Sequence, residues 1–148
     1  MQFTAESYRN TSEEHLERAK KLHADGDYCF AHYLAGLAVE CMLRGYLQRI
    51  RPGHDPDHNL FELAGKSRFF DIIPPEFHLE YGADFTVLNL RWRSIHRFGT
   101  NSQLFEYLSS IKADFKTKGD RYKQNSRSLL NIAIKIIQLG EAKWTQRN

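Results

Sequence analysis

The chain has 148 residues, the size of one domain that can bury a core of its own. Hydrophobic residues make up 41% and charged residues 26%, as in ordinary globular proteins, and 21 basic against 18 acidic residues give a net charge of +3. That charge is too small to indicate nucleic-acid binding by itself, so the distribution of the basic residues has to carry any such claim.

Neither a secretory leader nor a membrane-spanning segment is expected. The opening residues MQFTAESYRN contain no apolar run, and nowhere does the chain approach the ~18 consecutive apolar residues that cross a bilayer. Cys29 and Cys41 lie on one predicted helix, and at ~1.5 Å per residue they are roughly 18 Å apart, too far for a disulfide. We therefore expect a reduced, cytoplasmic protein that forms a single domain over residues 1–148.

The first helix is predicted from Thr4 to just before Gly26. Thr11 is an alternative start, because Thr11 and Glu14 have the spacing of a capping box. Apolar residues recur at helical spacing along this segment, with charged residues between them: Tyr8, Leu16, Ala19 and Leu22.

The second helix is predicted from Tyr28 to Ile50, with Asp27 as its N-terminal cap and a stop at Pro52. It is apolar on nearly every face, which is typical of the central helix of a bundle. Glu40 lies in its most apolar stretch, where a carboxylate needs a partner, and Arg44 at i+4 is the expected one.

A short helix and a longer one are predicted next. Asp57 is expected to cap the short helix, whose inward residues are Leu60, Leu63 and Ala64. Pro74 and Pro75 then open the longer helix, because proline is tolerated in a first turn. Its expected core residues are Phe77, Tyr81, Phe85 and Leu88.

The last third of the chain completes the helical pattern. Ser102 is predicted to cap the helix QLFEYLSSIKADF, and Gly119 interrupts the chain after it. The final helix is predicted from about Asp120 to Trp144, with the core residues Leu129, Leu130, Ala133, Ile136, Ile137 and Gly140. No segment alternates convincingly with a period of two, so we predict an all-α bundle of four main helices plus one or two short helices.

The second helix and the segment after it resemble a known family. HYLAGLAVECMLRGYL at 32–47, followed by DHNLFEL at 57–63, resembles the HEPN domain family of small prokaryotic helical bundles. LLNIAIKIIQLGEAKW at 129–144 is similar to the closing helix of that family, so the resemblance spans nearly the whole chain. It implies a HEPN-like bundle that forms a homodimer.

Many HEPN proteins are metal-independent endoribonucleases of toxin or defence type, with a motif of Arg followed by His after four to six residues. Arg91 and His96 fit that spacing and by this resemblance would be catalytic, with Arg93 and Arg97 binding substrate. The resemblance also implies RNA as one partner and an antitoxin or other protein as a second, and no cofactor is indicated. Trp92 departs from the motif, which usually has a polar residue at that position.

A second interpretation fits the same residues. A HEPN subgroup without established nuclease activity carries LRW, then four residues, then RY, and this chain has LRW at 90–92 and RF at 97–98. In that interpretation Trp92 would anchor the core and Arg91 could pair with Glu40. The domain would bind nucleic acid, a nucleotide or a partner protein without cleaving it, and the sequence leaves both interpretations open.

RNA cleavage without a metal needs a base for the 2′-hydroxyl, a cation at the phosphate and an acid for the leaving oxygen. Histidine suits the proton transfers because its pKa is ~6.5, and arginine suits the phosphate because its planar fork binds oxygens in pairs. Arg91 and His96 would point roughly 140° apart on a regular helix. Either the helix ends inside the motif or two chains contribute one motif each, and the resemblance implies the second.

Other candidate sites are weaker. His54 and His58 lie on a proline-rich loop without the fixed ligand frame of a metal site, so we predict no metal. The basic segment at 116–127 could follow an RNA backbone, but such a run is more often solvated. The serines have no base or oxyanion arrangement visible in the sequence, so a serine hydrolase is not indicated.

Overall fold

A computed structural model describes residues 3–54, 59–94, 96, 100–111 and 120–145. Within these ranges the chain forms six α-helices and no strand. The helices are α1 (Ala5–Ala24), α2 (Tyr28–Ile50), α3 (Leu60–Lys66), α4 (His78–Arg91), α5 (Asn101–Ser110) and α6 (Arg121–Trp144), and two 3₁₀ turns, Phe69–Ile72 and Pro75–Phe77, connect α3 to α4. The prediction of an all-α bundle is confirmed.

Helix α2 is the centre of the bundle. α1 and α6 pack along it, and α3 joins it to α4. The Tyr46 hydroxyl donates to the carbonyl of Gly140 on α6 at 2.7 Å, and a side chain at Gly140 would press on Met42, so the two helices approach closely there. The predicted central position of this helix is confirmed. Among the described helices, none combines the length and the apolar character that crossing a membrane requires.

The first two helices begin where the sequence predicts. The Thr4 side chain accepts a hydrogen bond from the backbone N–H of Ser7 at 3.0 Å, so Thr4 caps α1, which begins at Ala5, and Thr11 lies inside the helix. Asp27 occupies the cap position of α2, but its side chain makes no capping hydrogen bond. The start of α2 therefore depends on the packing of its apolar residues more than on its cap.

The caps of the two short helices differ from the predicted ones. Asn59 caps α3 by accepting from a backbone N–H three residues on, whereas the expected Asp57 lies outside the described residues. Thr100, not Ser102, caps α5: its side chain accepts from the backbone N–H of Gln103, and the Gln103 side-chain oxygen accepts from the backbone N–H of Thr100. Thr100 has the extended backbone that a cap needs, while Ser102 already lies in the first helical turn.

Helix α4 carries the predicted core residues up to the motif. Tyr81, Phe85 and Leu88 are buried, as the helical spacing predicts. The prediction for Phe77 is wrong, because it precedes the helix and its side chain is 45% exposed. Arg91 is the last helical residue, so α4 ends at the first residue of the motif.

Trp92 fixes the end of α4 against α2. Its indole is 2% exposed, its ring nitrogen donates to the carbonyl of Tyr33 at 2.9 Å, and its ring stacks on that of Tyr33 at 6.1 Å. The indole lies where a side chain of residue 36 would otherwise be, because a methyl group built on Gly36 would overlap it. The absence of a side chain at Gly36 therefore creates the seat for Trp92.

Helix α5 is attached to the bundle by a second, smaller apolar cluster. Cys29 of α2 packs there with Leu104 and Leu108 of α5. Cys29 and Cys41 are both buried free thiols, which agrees with the prediction that they are too far apart to form a disulfide. α5 is thereby held beside the N-terminal end of α2.

Glu40 and Arg44 form a buried ion pair within α2. Arg44 Nε lies 3.3 Å from the Glu40 carboxylate, and the two side chains are 8% and 4% exposed. The pair has the i,i+4 spacing that the sequence predicts. Because both charges are removed from water, each depends on the other for stability.

Replacing Gly36 by Ala should destabilise the fold, because the added methyl group would overlap the Trp92 ring. Overpacking of this kind costs about 1–3 kcal/mol. Gly82 on α4 is the matched control, since nothing lies within 4 Å of a methyl group built there. Gly82→Ala should be neutral or stabilising by up to ~1 kcal/mol through helix propensity. Urea unfolding compares the variants, and equal free energies of unfolding would mean that Trp92 is not held against Gly36.

Replacing Glu40 by Ala should lower the free energy of unfolding by about 3–5 kcal/mol, because Arg44 would be left as a buried charge without its carboxylate. Glu62→Ala is the control, since Glu62 forms an i,i+4 pair with Lys66 whose side chains are 51% and 37% exposed. An exposed pair of this kind contributes about 0.3–0.5 kcal/mol. Similar losses in the two variants would contradict the burial of Glu40.

Candidate functional site

The motif residues Arg91 and His96 meet around His32 of α2. α4 ends at Arg91, and the chain then turns back, so that the backbone N–H of His96 donates to the carbonyl of Arg93 at 3.0 Å. The helix therefore ends inside the motif, which is one of the two arrangements that the sequence leaves open. One chain suffices to bring both residues to the same cluster.

A chain of four polar side chains connects the two motif residues. Arg91 Nη1 donates to Asn125 Oδ1 at 3.4 Å, and Asn125 Nδ2 lies 2.9 Å from His32 Nδ1. His32 Nε2 lies 3.0 Å from His96 Nδ1, which also accepts from the backbone N–H of Arg93 at 3.2 Å. His32 and Asn125 are completely buried, and His96 is 8% exposed. This set of Arg91, Asn125, His32 and His96 is called the relay below.

The second ring nitrogen of His96 has no partner within the relay. His96 Nε2 is buried and makes no hydrogen bond to any residue that the structure describes. A buried polar atom left unpaired costs about 1–3 kcal/mol. The ring itself is held in place, since Tyr107 of α5 packs its ring edge to face with that of His96 at 4.9 Å. The unpaired atom therefore lies on a side chain whose orientation is fixed.

Burial keeps the histidines of the relay neutral. It lowers the pKa of His96 to about 4, with a further contribution from the positive charge of Arg93. It also holds the pKa of His32 well below its usual range, and the charges of His96 and Arg91 act in the same direction, while a hydrogen bond to the backbone of Arg91 opposes them. Burial lowers the pKa of Arg91 as well, but from a value of 12.5, so its guanidinium stays charged at physiological pH.

The other residues predicted for the site lie in different surroundings. Arg93 is exposed, and its side chain donates to the Tyr107 hydroxyl at 3.1 Å. Arg97 lies outside the described residues. Trp92 is a core anchor, as one interpretation of the sequence expects. The Glu40–Arg44 pair is on α2 two helical turns beyond His32, at roughly 12 Å along the helix axis.

Sequence reasoning missed two residues of the relay. His32 is a polar residue in an otherwise apolar helix, and the argument applied to Glu40 could have identified it in the same way. Asn125 lies in the basic segment at 116–127, whose part from Arg121 onwards is the start of α6, as predicted. Only the packing of α6 against α2 brings Asn125 to His32, and no local pattern predicts that contact.

The weaker sequence candidates find little support. Among the described residues, no three His, Cys, Asp or Glu side chains are grouped as a metal site would require. His58 lies outside those residues, so its pairing with His54 is not described. Lys123 and Arg127 are on exposed positions of α6. Burial lowers the pKa of His23, and the positive charges of Arg127 and Lys123 lower it further. Basic side chains therefore lie at the same end of the bundle as the relay.

Comparison with solved structures identifies a similar fold. The chain matches the crystal structure of an archaeal HEPN homologue with a TM-score of 0.62 and 19% identity, over 96% of this chain and 98% of that chain. No family profile matches the sequence, and no curated protein is similar to it in sequence. The chain has a HEPN-like fold, which agrees with the resemblance found in the sequence.

The protein should lose stability in mild acid because of His96. Its folded pKa is about 4, whereas the unfolded chain binds a proton near the ordinary value of 6.5. Below that value the unfolded state binds more protons, so stability falls as the pH drops towards the folded pKa. At about pH 5 the contribution from His96 is a loss of about 2 kcal/mol. Unfolding of wild type and His96→Gln across this pH range measures it, and parallel stability curves would contradict it.

Proposed function

We propose that this HEPN-like domain is a metal-independent endoribonuclease of toxin or defence type, with Arg91 and His96 as its catalytic residues. One observation carries the proposal: the buried Nε2 of His96 has no partner among the described residues, although its ring is oriented by the relay that ends at Arg91. An oriented histidine with one nitrogen left over is typical of an active site, where the second nitrogen meets a substrate. His15 and His54 also have a buried ring nitrogen without a partner among the described residues, and His96 differs from them in that its ring is oriented by the relay.

The chemistry of the cluster suits a phosphodiester. Attack by the ribose 2′-oxygen forms a bond to phosphorus and breaks the bond to the 5′-oxygen, which yields a 2′,3′-cyclic phosphate. Arg91 would offset the negative charge at the phosphorus, and Arg93, which is exposed at the same helix end, would bind a neighbouring phosphate. Arg97 is proposed as a further substrate contact from its position in the motif.

We also propose that the domain works as a homodimer. The HEPN ribonucleases that this sequence resembles place two such motifs, one from each chain, across a dimer cleft. Two chains related by a two-fold axis would supply two motifs, and this symmetry is the commonest among soluble homo-oligomers. An antitoxin or other partner protein would then act by covering the site or by preventing association.

A second candidate function is RNA binding without cleavage, and the pKa of His96 favours it. A ring with a pKa of about 4 is neutral at physiological pH, whereas an efficient proton-transfer group has a pKa near the working pH. Trp92, which is buried where ribonuclease motifs have a polar residue, points in the same direction. In this case Arg91 and Arg93 would bind phosphate and the RNA would remain intact.

His96→Ala should abolish RNA cleavage while the fold is retained, because a catalytic histidine contributes ~10²–10⁴-fold to the rate. The matched control is His15→Ala on α1, since burial lowers the pKa of His15 too. Cleavage of a mixed RNA pool, with and without EDTA, and thermal melting of each protein are the measurements. Arg91→Ala should also lose cleavage, and cleavage by the wild type should survive EDTA.

The outcomes separate the two functions. Intact RNA with wild type, together with retained RNA binding that Arg91→Ala weakens, would replace the ribonuclease proposal by the binding function. Equal cleavage by wild type and His96→Ala would exclude His96 from catalysis. If the wild type neither cleaves nor binds RNA, both functions are wrong.

A further inference from the structure

We propose that His32 and Asn125 are positioning residues that hold His96 with its hydrogen on Nε2, so that His96 presents an N–H donor to a phosphate oxygen. The functional part of this inference rests on the proposed action on RNA. The part that concerns the hydrogen positions rests on the relay alone. The hydrogen positions follow from two groups, one at each end of the relay, that can only donate hydrogen bonds.

The first fixed end is the backbone of Arg93. Its N–H lies 3.2 Å from His96 Nδ1 and can only donate, so Nδ1 must be the unprotonated nitrogen of the ring. A neutral imidazole carries one hydrogen, which is then on Nε2. His32 Nε2, which is 3.0 Å from the same Nδ1, must also be a donor.

The second fixed end is the guanidinium of Arg91, which has no acceptor. It lies 3.4 Å from the Asn125 side-chain oxygen and turns the amide so that Nδ2 faces His32. Because Nδ2 donates, His32 Nδ1 must accept, and the hydrogen of a neutral His32 is then on Nε2. This is the arrangement that the Arg93 end requires independently, so every hydrogen bond between the side chains of the relay runs in one direction, from Arg91 to His96. The hydrogen bond of His32 with the Arg91 backbone is separate from this series and has the carbonyl as its acceptor.

Burial opposes the protonation of His32 and His96, which would break this arrangement. A protonated His32 would carry a second N–H, which would face the donor nitrogen of Asn125 in a completely buried position. A protonated His96 would likewise face the backbone N–H of Arg93 with a hydrogen on Nδ1. The pKa values of both rings are lowered in agreement with this.

The consequence is a specific role for His96. With its hydrogen on Nε2 it cannot take a proton from the 2′-hydroxyl at that atom, and a neutral imidazole is a poor proton donor. Its N–H can instead donate a hydrogen bond to a phosphate oxygen whose negative charge grows during the reaction, which is electrostatic stabilisation. The 2′-hydroxyl proton would pass to water, and water would supply a proton to the leaving 5′-oxygen, so that the atoms balance.

The positions of the hydrogens can be measured without RNA. In nitrogen-15 NMR of histidine-labelled wild type at neutral pH, His96 should show an unprotonated Nδ1 and a protonated Nε2, and His32 should show the same. Asn125→Asp replaces the donor at His32 Nδ1 by an acceptor, so this nitrogen should become protonated. A hydrogen on His96 Nδ1 in the wild type would overturn the proposal, even if no variant folds.

Variants of His32 test the positioning role in the reaction. His32→Gln can still accept from Asn125 and donate to His96, whereas His32→Leu can do neither. We expect His32→Leu to mix the two hydrogen positions of His96 and to lower the cleavage rate about tenfold or more, mainly in kcat, while His32→Gln stays close to wild type. If His32→Leu folds and leaves the His96 spectrum and the rate unchanged, His32 has no positioning role.

These readouts separate the inference from the proposed function. If His96 and His32 carry their hydrogens as expected but the protein has no effect on RNA, the inferred arrangement of the relay is correct and the ribonuclease proposal is wrong. Cleavage by a protein with the hydrogen on His96 Nδ1 would support the ribonuclease and overturn the inferred arrangement of the relay.

Discussion

The position of the motif depends on the contact between Trp92 and Gly36. Only a residue without a side chain leaves room on α2 for the indole, and the indole in turn ends α4 at Arg91 by donating to the Tyr33 carbonyl. If α4 continued, Arg91 and the residue five positions later would point roughly 140° apart. Because the helix stops, the chain can turn back and place His96 against α2. A packing constraint in the core thus determines the geometry of the candidate site.

Helix α2 holds two buried polar sites that differ in how completely they are satisfied. Glu40 and Arg44 are paired within one helix, and neither side chain is more than 8% exposed, which is typical of a structural pair. His32 instead depends on groups from α4 and α6, and the polar chain through it ends at an atom of His96 without a described partner. The first site stabilises the helix within the bundle, while the second has capacity to bind something further.

The sequence predicts those features of the fold that depend on local pattern. The limits of α2, the core positions of α6 and the capping role of Thr4 follow from helical periodicity and cap chemistry. The prediction of Ser102 as the cap of α5 is wrong because Thr100 also has a capping side chain, and only the backbone conformation selects between them. The pairing of Arg91 and His96 with His32 and Asn125 joins three distant segments, so it depends on tertiary packing that no window of the sequence contains.

The directions of the hydrogen bonds explain how a cluster with low pKa values could still serve a reaction on phosphate. The relay ends in donors on both sides, the Arg91 guanidinium and the His96 N–H, so it favours an anion at either end. Protonation of His96 would set a hydrogen on Nδ1 against the backbone N–H of Arg93, so an anion would meet a neutral ring whose hydrogen is on Nε2. The contact would then be a hydrogen bond from a neutral donor, which agrees with the low pKa of His96.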